Sequence, residues 1–186
     1  MLSPNFDPFP ILMTERLTLR HVDENDVNEI FFLRSDKKVL QFLDRKPAES
    51  AEDAMDFIKK INNLEKNNEA VNWAITITGD HTLLGTICFW NINKEHYRSE
   101  IGYVLHPDFQ GKGFMQEAMT VVLKYGFETM KLHSVEANVN PDNVPSIRLL
   151  ERNHFLSEAY FKENYYFDGK FLDSEIYSLI RNPMSL

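Results

Sequence analysis

Two glycines and a lysine lie between a predicted strand and a predicted helix, in the segment Leu105–Met115. Backbone N–H groups at the start of a helix bind phosphate oxygens, and the helix dipole favours negative charge there. Gly111 and Gly113 let the backbone approach an anion closely, and Lys112 adds a positive charge. The segment therefore predicts a phosphate-binding loop, although the same glycines also suit a tight turn between a strand and a helix.

Two common phosphate motifs do not describe this loop. The pattern GxxxxGK[ST] is absent from the sequence. The dinucleotide pattern GxGxxG begins at Gly111 and Gly113, but Gln116 occupies the position of the third glycine. A nicotinamide-binding protein also requires a continuing series of βαβ units, which the last third of the chain does not show. That class stays a weak alternative.

Composition narrows the classes of partner. The chain has 20 Lys and Arg against 28 Asp and Glu, a net charge of -8, which argues against a nucleic-acid binder. The acidity is compatible with an amine substrate, but many proteins are acidic without such a role.

Cys88 is the one cysteine, so an internal disulfide is excluded, and we interpret it as a buried strand residue. The histidines show no metal-ligand spacing, so we predict no metal.

The elements that position the loop form a mixed pattern of strands and helices. We predict the order strand, two helices, three strands, helix, strand, helix and two strands, which is an α/β class with one mixed sheet. The length of 186 residues indicates a single domain over 1–186, with an irregular arm over 1–13. The sequence shows no signal peptide and no apolar run that could span a bilayer, so we expect a cytoplasmic protein without membrane contact.

Four segments in order resemble motifs of the GNAT N-acetyltransferases, in their RimJ/RimL-like branch. The loop over 110–115 is similar to the family's (Arg/Gln)-x-x-Gly-x-(Gly/Ala) signature, with Met115 in place of the small final residue. His154 likewise replaces a usual glycine. The other three segments resemble the branch's opening strand, its central strand and its second motif, over residues 14–20, 100–105 and 140–155. A closing hairpin over 168–179 also matches.

The resemblance implies a fold, a cosubstrate and a set of binding residues. The fold would be a centrally splayed, twisted mixed sheet of about seven strands flanked by about four helices, with acetyl-CoA in the opening. Backbone groups of Tyr103, Val104 and Leu105 would follow the pantetheine arm. Asn143 and Ser146 would reach the pantetheine or the sulfur. The pyrophosphate would be held by the N–H groups of Gln110, Gly111, Lys112, Gly113, Phe114 and Met115.

The implied reaction is direct attack of a neutral amine on the thioester, which needs a base for the amine and a proton for the departing thiolate. For the base we choose Glu100, since strand alternation places it on one face with Gly102 and Val104. Glu15 and Asp173 are weaker candidates. Many family members carry a tyrosine seven residues after the motif asparagine, but that position is Leu150 here. Ser146 is therefore the best hydroxyl to protonate the thiolate, with water as the alternative.

The leading hypothesis is an acetyl-CoA-dependent N-acetyltransferase whose acceptor is a protein N-terminus or a small amine. The alternative is a non-catalytic module of the same fold that binds CoA and regulates. Aromatic residues between Tyr160 and Phe171 would either wall an acceptor pocket or pack the hairpin. A monomer and a homodimer are equally compatible with the sequence.

Overall fold

Eight strands form one mixed sheet with the spatial order β1-β2-β3-β4-β5-β6-β8-β7. The computed structural model describes residues 1–181. The sequence predicted about seven strands, and the eighth is the two-residue β1, which lies within the arm expected to be irregular. The strands are β1 (Leu12–Met13), β2 (Leu17–His21), β3 (Val71–Ile77), β4 (Gly85–Asn93), β5 (Arg98–Leu105), β6 (Ser134–Val139), β7 (Leu156–Phe167) and β8 (Lys170–Ile180).

Four helices cover the sheet, as predicted. They are α1 (Val27–Ser35), α2 (Ala51–Lys66), α3 (Phe114–Glu128) and α4 (Val144–Arg152). Helix α2 begins at the capping box expected from its sequence: the Asp53 N–H donates to Ser50 Oγ, and the Ser50 N–H donates to the Asp53 carboxylate at 3.1 Å. Among residues 1–181, none of the helices is long and apolar enough to cross a membrane.

Each face of the sheet carries its own apolar cluster. One cluster joins α3 and α4 to the face that bears Trp73, Phe89 and Ile101, all of which are buried. The second joins α1 and α2 to the opposite face through Ala74 and the half-buried Val104. Alternation along a strand separates the two sets, because successive side chains point to opposite faces. We call the face under α1 and α2 the acceptor face, and the face under α3 and α4 the cofactor face.

The sheet opens between its two parallel strands. β5 and β6 pair only over three residues, from Arg98 opposite Ser134 to Glu100 opposite Glu136. Beyond that point each strand stays paired with its other neighbour, β5 with β4 as far as Leu105 and β6 with β8 as far as Val139. The ends of β5 and β6 therefore diverge and leave an opening through the sheet, which confirms the predicted central splay.

Candidate active site

The predicted phosphate loop lies at the start of the 15-residue helix α3. Gly113 is the N-cap with φ +81°, and Gly111 has φ +72°. Both values lie in the left-handed region that residues with a Cβ rarely adopt. A Cβ added at Gly111 would meet no atom within 4 Å, so the conformation rather than crowding requires glycine there. The backbone is thus shaped as an anion cradle at a helix N-terminus.

Arg16 supports this loop from the opening strand, a role that the sequence did not indicate. Its Nη1 donates to the Lys112 carbonyl at 3.1 Å, and its guanidinium lies 4.7 Å from the centre of the Phe114 ring. It also pairs with Glu117 in the first turn of α3, at 2.6 Å. This pairing neutralises a carboxylate that would otherwise repel an anion at the helix start. Arg16 and Glu117 are 101 residues apart, so no local pattern could reveal the contact.

A cleft of about 510 Å³ runs from this loop through the opening, between α4 on the cofactor side and the segment after α1 on the acceptor side. Its lining includes three basic residues, Lys38, Arg148 and Arg152, and no acidic residue. The cleft is therefore locally positive in a chain of net charge -8, as the phosphates of CoA require. Ten of the predicted binding residues line it: Tyr103, Val104, Leu105, Gln110, Gly111, Gly113, Phe114, Met115, Asn143 and Ser146. Lys112 is not among the lining residues, and its ammonium lies 5.3 Å from the centre of the Phe109 ring.

Two hydroxyl groups meet in this cleft. The side-chain oxygens of Tyr103 and Ser146 are 2.7 Å apart, joined by a hydrogen bond between β5 and the first turn of α4. Burial is the main reason that the pKa of Tyr103 rises to about 12, so its phenol is protonated at neutral pH. The sequence assigned Tyr103 only a backbone role. Asn143 caps α4 by accepting from the Ser146 N–H at 3.2 Å, which fixes the position of the serine.

Leu150 has no access to the cleft. It is fully buried in the core on the cofactor face, whereas its neighbour Leu149 lines the cleft. The tyrosine that many family members carry at this position therefore has no counterpart on this helix face. The hydroxyl pair of Tyr103 and Ser146 is what the chain offers in the cleft instead.

A second side-chain pair holds α3 against the end of α4. Gln116 Nε2 donates to Asn153 Oδ1 at 2.8 Å, and Asn153 Nδ2 donates back to Gln116 Oε1 at 3.1 Å. Gln116 stands where a dinucleotide motif would have its third glycine, so a specific contact explains that departure. The next residue, His154, has φ +65°, which explains why the family's motif has glycine there.

Glu100 lies on the acceptor face, where alternation predicted it. It is the last residue of β5 that pairs with β6, and it is half-buried. Burial, with a smaller contribution from the neighbouring Glu136, raises the pKa of Glu100 to about 7. Arg98 pairs with Glu136 rather than with Glu100. Glu100 therefore changes protonation near neutral pH, as a general base should.

The two weaker base candidates are less suitable. Glu15 is exposed at the start of the opening strand. Asp173 accepts hydrogen bonds from the Tyr160 hydroxyl and the Glu163 N–H, and these contacts lower its pKa. Cys88 is a strand residue, but it is only partly buried rather than fully buried as predicted, since its side chain lies on the acceptor face beside Gly102. Desolvation raises the pKa of its thiol to about 12, which disfavours a role as nucleophile.

A splayed sheet, a glycine loop at a helix start and a basic cleft together define a protein that binds a phosphate-bearing cosubstrate across the opening. The acetyltransferase (GNAT) domain family matches residues 16–156, so the chain belongs to the GNAT family. A similar protein is the uncharacterized N-acetyltransferase p20 of Bacillus licheniformis, which is 34% identical to this chain. The match covers 91% of this chain and 96% of p20. It is 25% identical to the spermidine N(1)-acetyltransferase of Vibrio cholerae, over 87% of this chain and 91% of that enzyme.

The fold is also that of a solved acetyltransferase with CoA bound. RimL, a ribosomal L7/L12 alpha-N-protein acetyltransferase crystallised with coenzyme A, superposes with a TM-score of 0.83 at 25% identity. The match covers 92% of this chain and 98% of RimL. The chain is accordingly an N-acetyltransferase that uses acetyl-CoA, which confirms the predicted family, reaction class and RimL-like relationship.

Proposed function

We propose that the chain acetylates the primary amine of its acceptor by direct attack, with Glu100 as base and Ser146, supported by Tyr103, as acid. The observation that carries the proposal is the opening between β5 and β6, which has Glu100 on one face and the Ser146–Tyr103 pair on the other. An amine that enters from the acceptor face would meet the base, while the thiol leaves on the face of the hydroxyl pair. The amine would therefore lose its proton on one face of the sheet, and the thiolate would gain a proton on the other.

The residues of the cleft fit acetyl-CoA. The N–H groups of 110–115 would hold the pyrophosphate, since both glycine conformations and the start of α3 suit an anion. The unpaired inner edge of β5 over Tyr103, Val104 and Leu105 leaves backbone groups free for the pantetheine amides. Acetyl-CoA, when bound, supplies the activated acetyl thioester. The basic residues Arg148 and Arg152 add positive charge along the same wall.

The proton steps follow from the local chemistry of the site. Glu100, with a pKa of about 7, is ionised in a large fraction of molecules at neutral pH and accepts the proton that an ammonium must lose. Ser146 Oγ presents a proton to the leaving sulfur, and the Tyr103 phenol is positioned to return a proton to Ser146. This machinery supports an enzyme rather than the non-catalytic CoA-binding module.

Cytoplasmic location, a single domain and the choice between monomer and homodimer stay predictions.

Removal of each hydroxyl tests the proposed acid. Thiol release from acetyl-CoA would be followed with a panel of peptides and small amines. We expect Ser146→Ala to lower kcat by about 100-fold. Tyr103→Phe should lower kcat less, and the double variant should be no slower than Ser146→Ala because the two groups act as a unit. Tyr125→Phe, which removes a hydroxyl from the core packing against Trp73, is the matched control.

Two results would contradict the proposal. An unchanged kcat in Ser146→Ala would assign the proton to water or to another group. Acetyl-CoA binding without thiol release for any acceptor would instead favour the non-catalytic module.

A further inference from the structure

Two arginines lie in the layer that covers the acceptor face, and the proposed chemistry does not use them. Arg34 is in the last turn of α1, and its guanidinium lies 3.9 Å from the centre of the Phe57 ring on α2. Arg45 lies in the segment between α1 and α2, a few residues beyond the part that lines the CoA cleft, Lys38–Leu43. Both side chains are partly buried. The two arginines therefore belong to the layer over the acceptor face, next to the segment that lines the cleft.

Neither guanidinium has a hydrogen-bond or salt-bridge partner among residues 1–181. The Nε atoms of Arg34 and Arg45 are buried without a hydrogen-bond partner among the described residues. No carboxylate forms a salt bridge with either side chain in the part of the chain up to residue 181. Buried polar groups in proteins are almost always satisfied, so these two donors are available to water or to a bound anion.

The two charges also disfavour each other. Burial, and next the positive charge of Arg34, lower the pKa of Arg45 to about 10. Burial likewise lowers the pKa of Arg34, and the charge of Asp53 compensates in part. The Ala48 N–H donates to the Arg34 carbonyl at 2.8 Å, which holds the segment that carries Arg45 against the end of α1. A bound carboxylate would stabilise both cations, because arginine binds carboxylates through paired hydrogen bonds.

The arginines share the acceptor face with Glu100. The charge of Arg45 acts on the Cys88 thiol, which lies on β4. Cys88 Sγ is 3.2 Å from the position that a Cβ of Gly102 would occupy, and Glu100 is two residues along the same strand face. The acceptor face of the sheet therefore carries Glu100 at the opening, and the layer over the same face carries the two arginines.

The hairpin contacts the segment that carries Arg45 but pairs with the residue before it. The Tyr165 hydroxyl of β7 donates to the carboxylate of Asp44, the residue before Arg45. That bond and the burial of the phenol raise the pKa of Tyr165. Asp44 is thus held by the hairpin and does not neutralise Arg45.

We propose that Arg34 and Arg45 bind the carboxylate of the acceptor, so that the acceptor is a small amino carboxylate such as a free amino acid. This inference rests on the proposed function, because it places the acceptor amine toward Glu100. A bond forms between the acceptor nitrogen and the acetyl carbonyl carbon, and the carbon–sulfur bond breaks. One amine proton passes to Glu100 and the thiolate gains a proton, while the acceptor carboxylate is unchanged. A polyamine or an amidated amine would bring no anion to the arginines.

Binding and turnover with matched probes test this assignment separately from the reaction itself. First, the wild-type chain would be titrated calorimetrically with CoA. Then both the free and the CoA-loaded protein would be titrated with N-acetyl amino acids and with their N-acetyl carboxamides, which differ only in the anion. In parallel, thiol release would be measured with amino acids of increasing amine-to-carboxylate distance (glycine, β-alanine, 4-aminobutyrate and larger α-amino acids), with their amides, and with spermidine.

We expect the carboxylate probes to bind about tenfold or more tightly than their amides, which is the usual scale for a hydrogen-bonded charge. Arg45→Met should abolish that preference, and Arg34→Met should reduce it, with the affinity for CoA unchanged. Arg181→Met, beyond the last strand, is the matched control. Thermal unfolding checks that each variant folds, and Arg45→Lys, which keeps a charge but not the paired donors, should retain only part of the preference.

Equal affinity for acids and amides, or a preference that survives in both arginine variants, would overturn the inference. Faster thiol release with spermidine than with every amino acid would also overturn it. A failure of the proposed function would appear in different measurements, as absent CoA binding or absent thiol release. In that case the carboxylate preference of the protein without CoA would still decide the role of the arginines.

Discussion

Replacement of Glu100 by glutamine separates a catalytic base from a structural carboxylate, because the two roles predict changes of opposite sign. A structural carboxylate that stabilises the fold would make the variant less stable. Glu100 instead has its pKa raised from 4.5 to about 7, mainly by burial and next by Glu136, so its charged form is disfavoured in the folded protein. Glutamine has nearly the same shape and can keep a contact with Asn91.

The magnitude follows from this pKa. A rise from 4.5 to about 7 corresponds to about 3 kcal/mol at most, and because the carboxylate is only half-buried, solvent screening reduces the extra cost of ionising Glu100 in the folded chain to about 1–2 kcal/mol. Below pH 4.5 both states are protonated, and Glu100 contributes nothing. As pH rises from 4.5 to 7 the unfolded chain releases its proton first, so the wild type loses stability relative to Glu100→Gln. Above pH 7 the difference is constant, with the variant more stable by about 1–2 kcal/mol.

Two measurements on one variant check the reasoning. Denaturant unfolding at several pH values should show no gain for Glu100→Gln near pH 4 and a full gain at pH 8. Thiol release should fall by about 100-fold or more, and the wild-type rise of kcat/KM through about pH 7 should be absent from the variant. A variant that loses stability at pH 8, or one that keeps full activity with the same pH profile, would refute the assignment of Glu100 as a buried base.

Three further predictions concern other parts of the site. Gly113→Asp should abolish acetyl-CoA binding in a calorimetric titration, because it places a carboxylate at the start of α3. Gly79→Asp is the control and should bind acetyl-CoA normally, since Gly79 has a similar φ of +87° but lies in a turn. His154→Gly should raise the free energy of unfolding by about 1 kcal/mol, since a φ of +65° strains a residue with a Cβ. A lower free energy of unfolding would show that contacts of the histidine ring stabilise the fold by more than the strain destabilises it. Cys88 should resist alkylation by iodoacetamide at pH 8 in the folded protein and react after unfolding, because desolvation raises its pKa to about 12. Rapid labelling of the native chain would contradict this raised pKa.

The phosphate loop shows how far local sequence can reach. Gly111, Gly113 and the helix that follows lie within a few residues of one another. Few residue types other than glycine adopt the left-handed backbone conformation found at these two positions. The same holds for the capping box of Ser50 and Asp53. Such features depend on neighbours along the chain, so their patterns were sufficient to predict them.

The base was predicted by position but not by environment. Alternation along β5 placed Glu100 on the acceptor face, and the structure agrees. Its raised pKa depends on the parallel pairing that brings Glu136 alongside, and on burial beneath the α1 and α2 layer. Neither can be obtained from the strand alone.

By itself the sequence determined the elements, the loop that binds phosphate and, through four ordered motifs, the family. Only the tertiary structure decided which groups act together: Arg16 beneath the loop, the Tyr103–Ser146 hydroxyl pair, and the unpaired Arg34 and Arg45. The physical reason is the range of the interactions. Caps and strand alternation are set within a turn or a strand. The contacts of Arg16 and of the hydroxyl pair join residues tens of positions apart, and the burial of the two arginines depends on how the helices pack on the sheet.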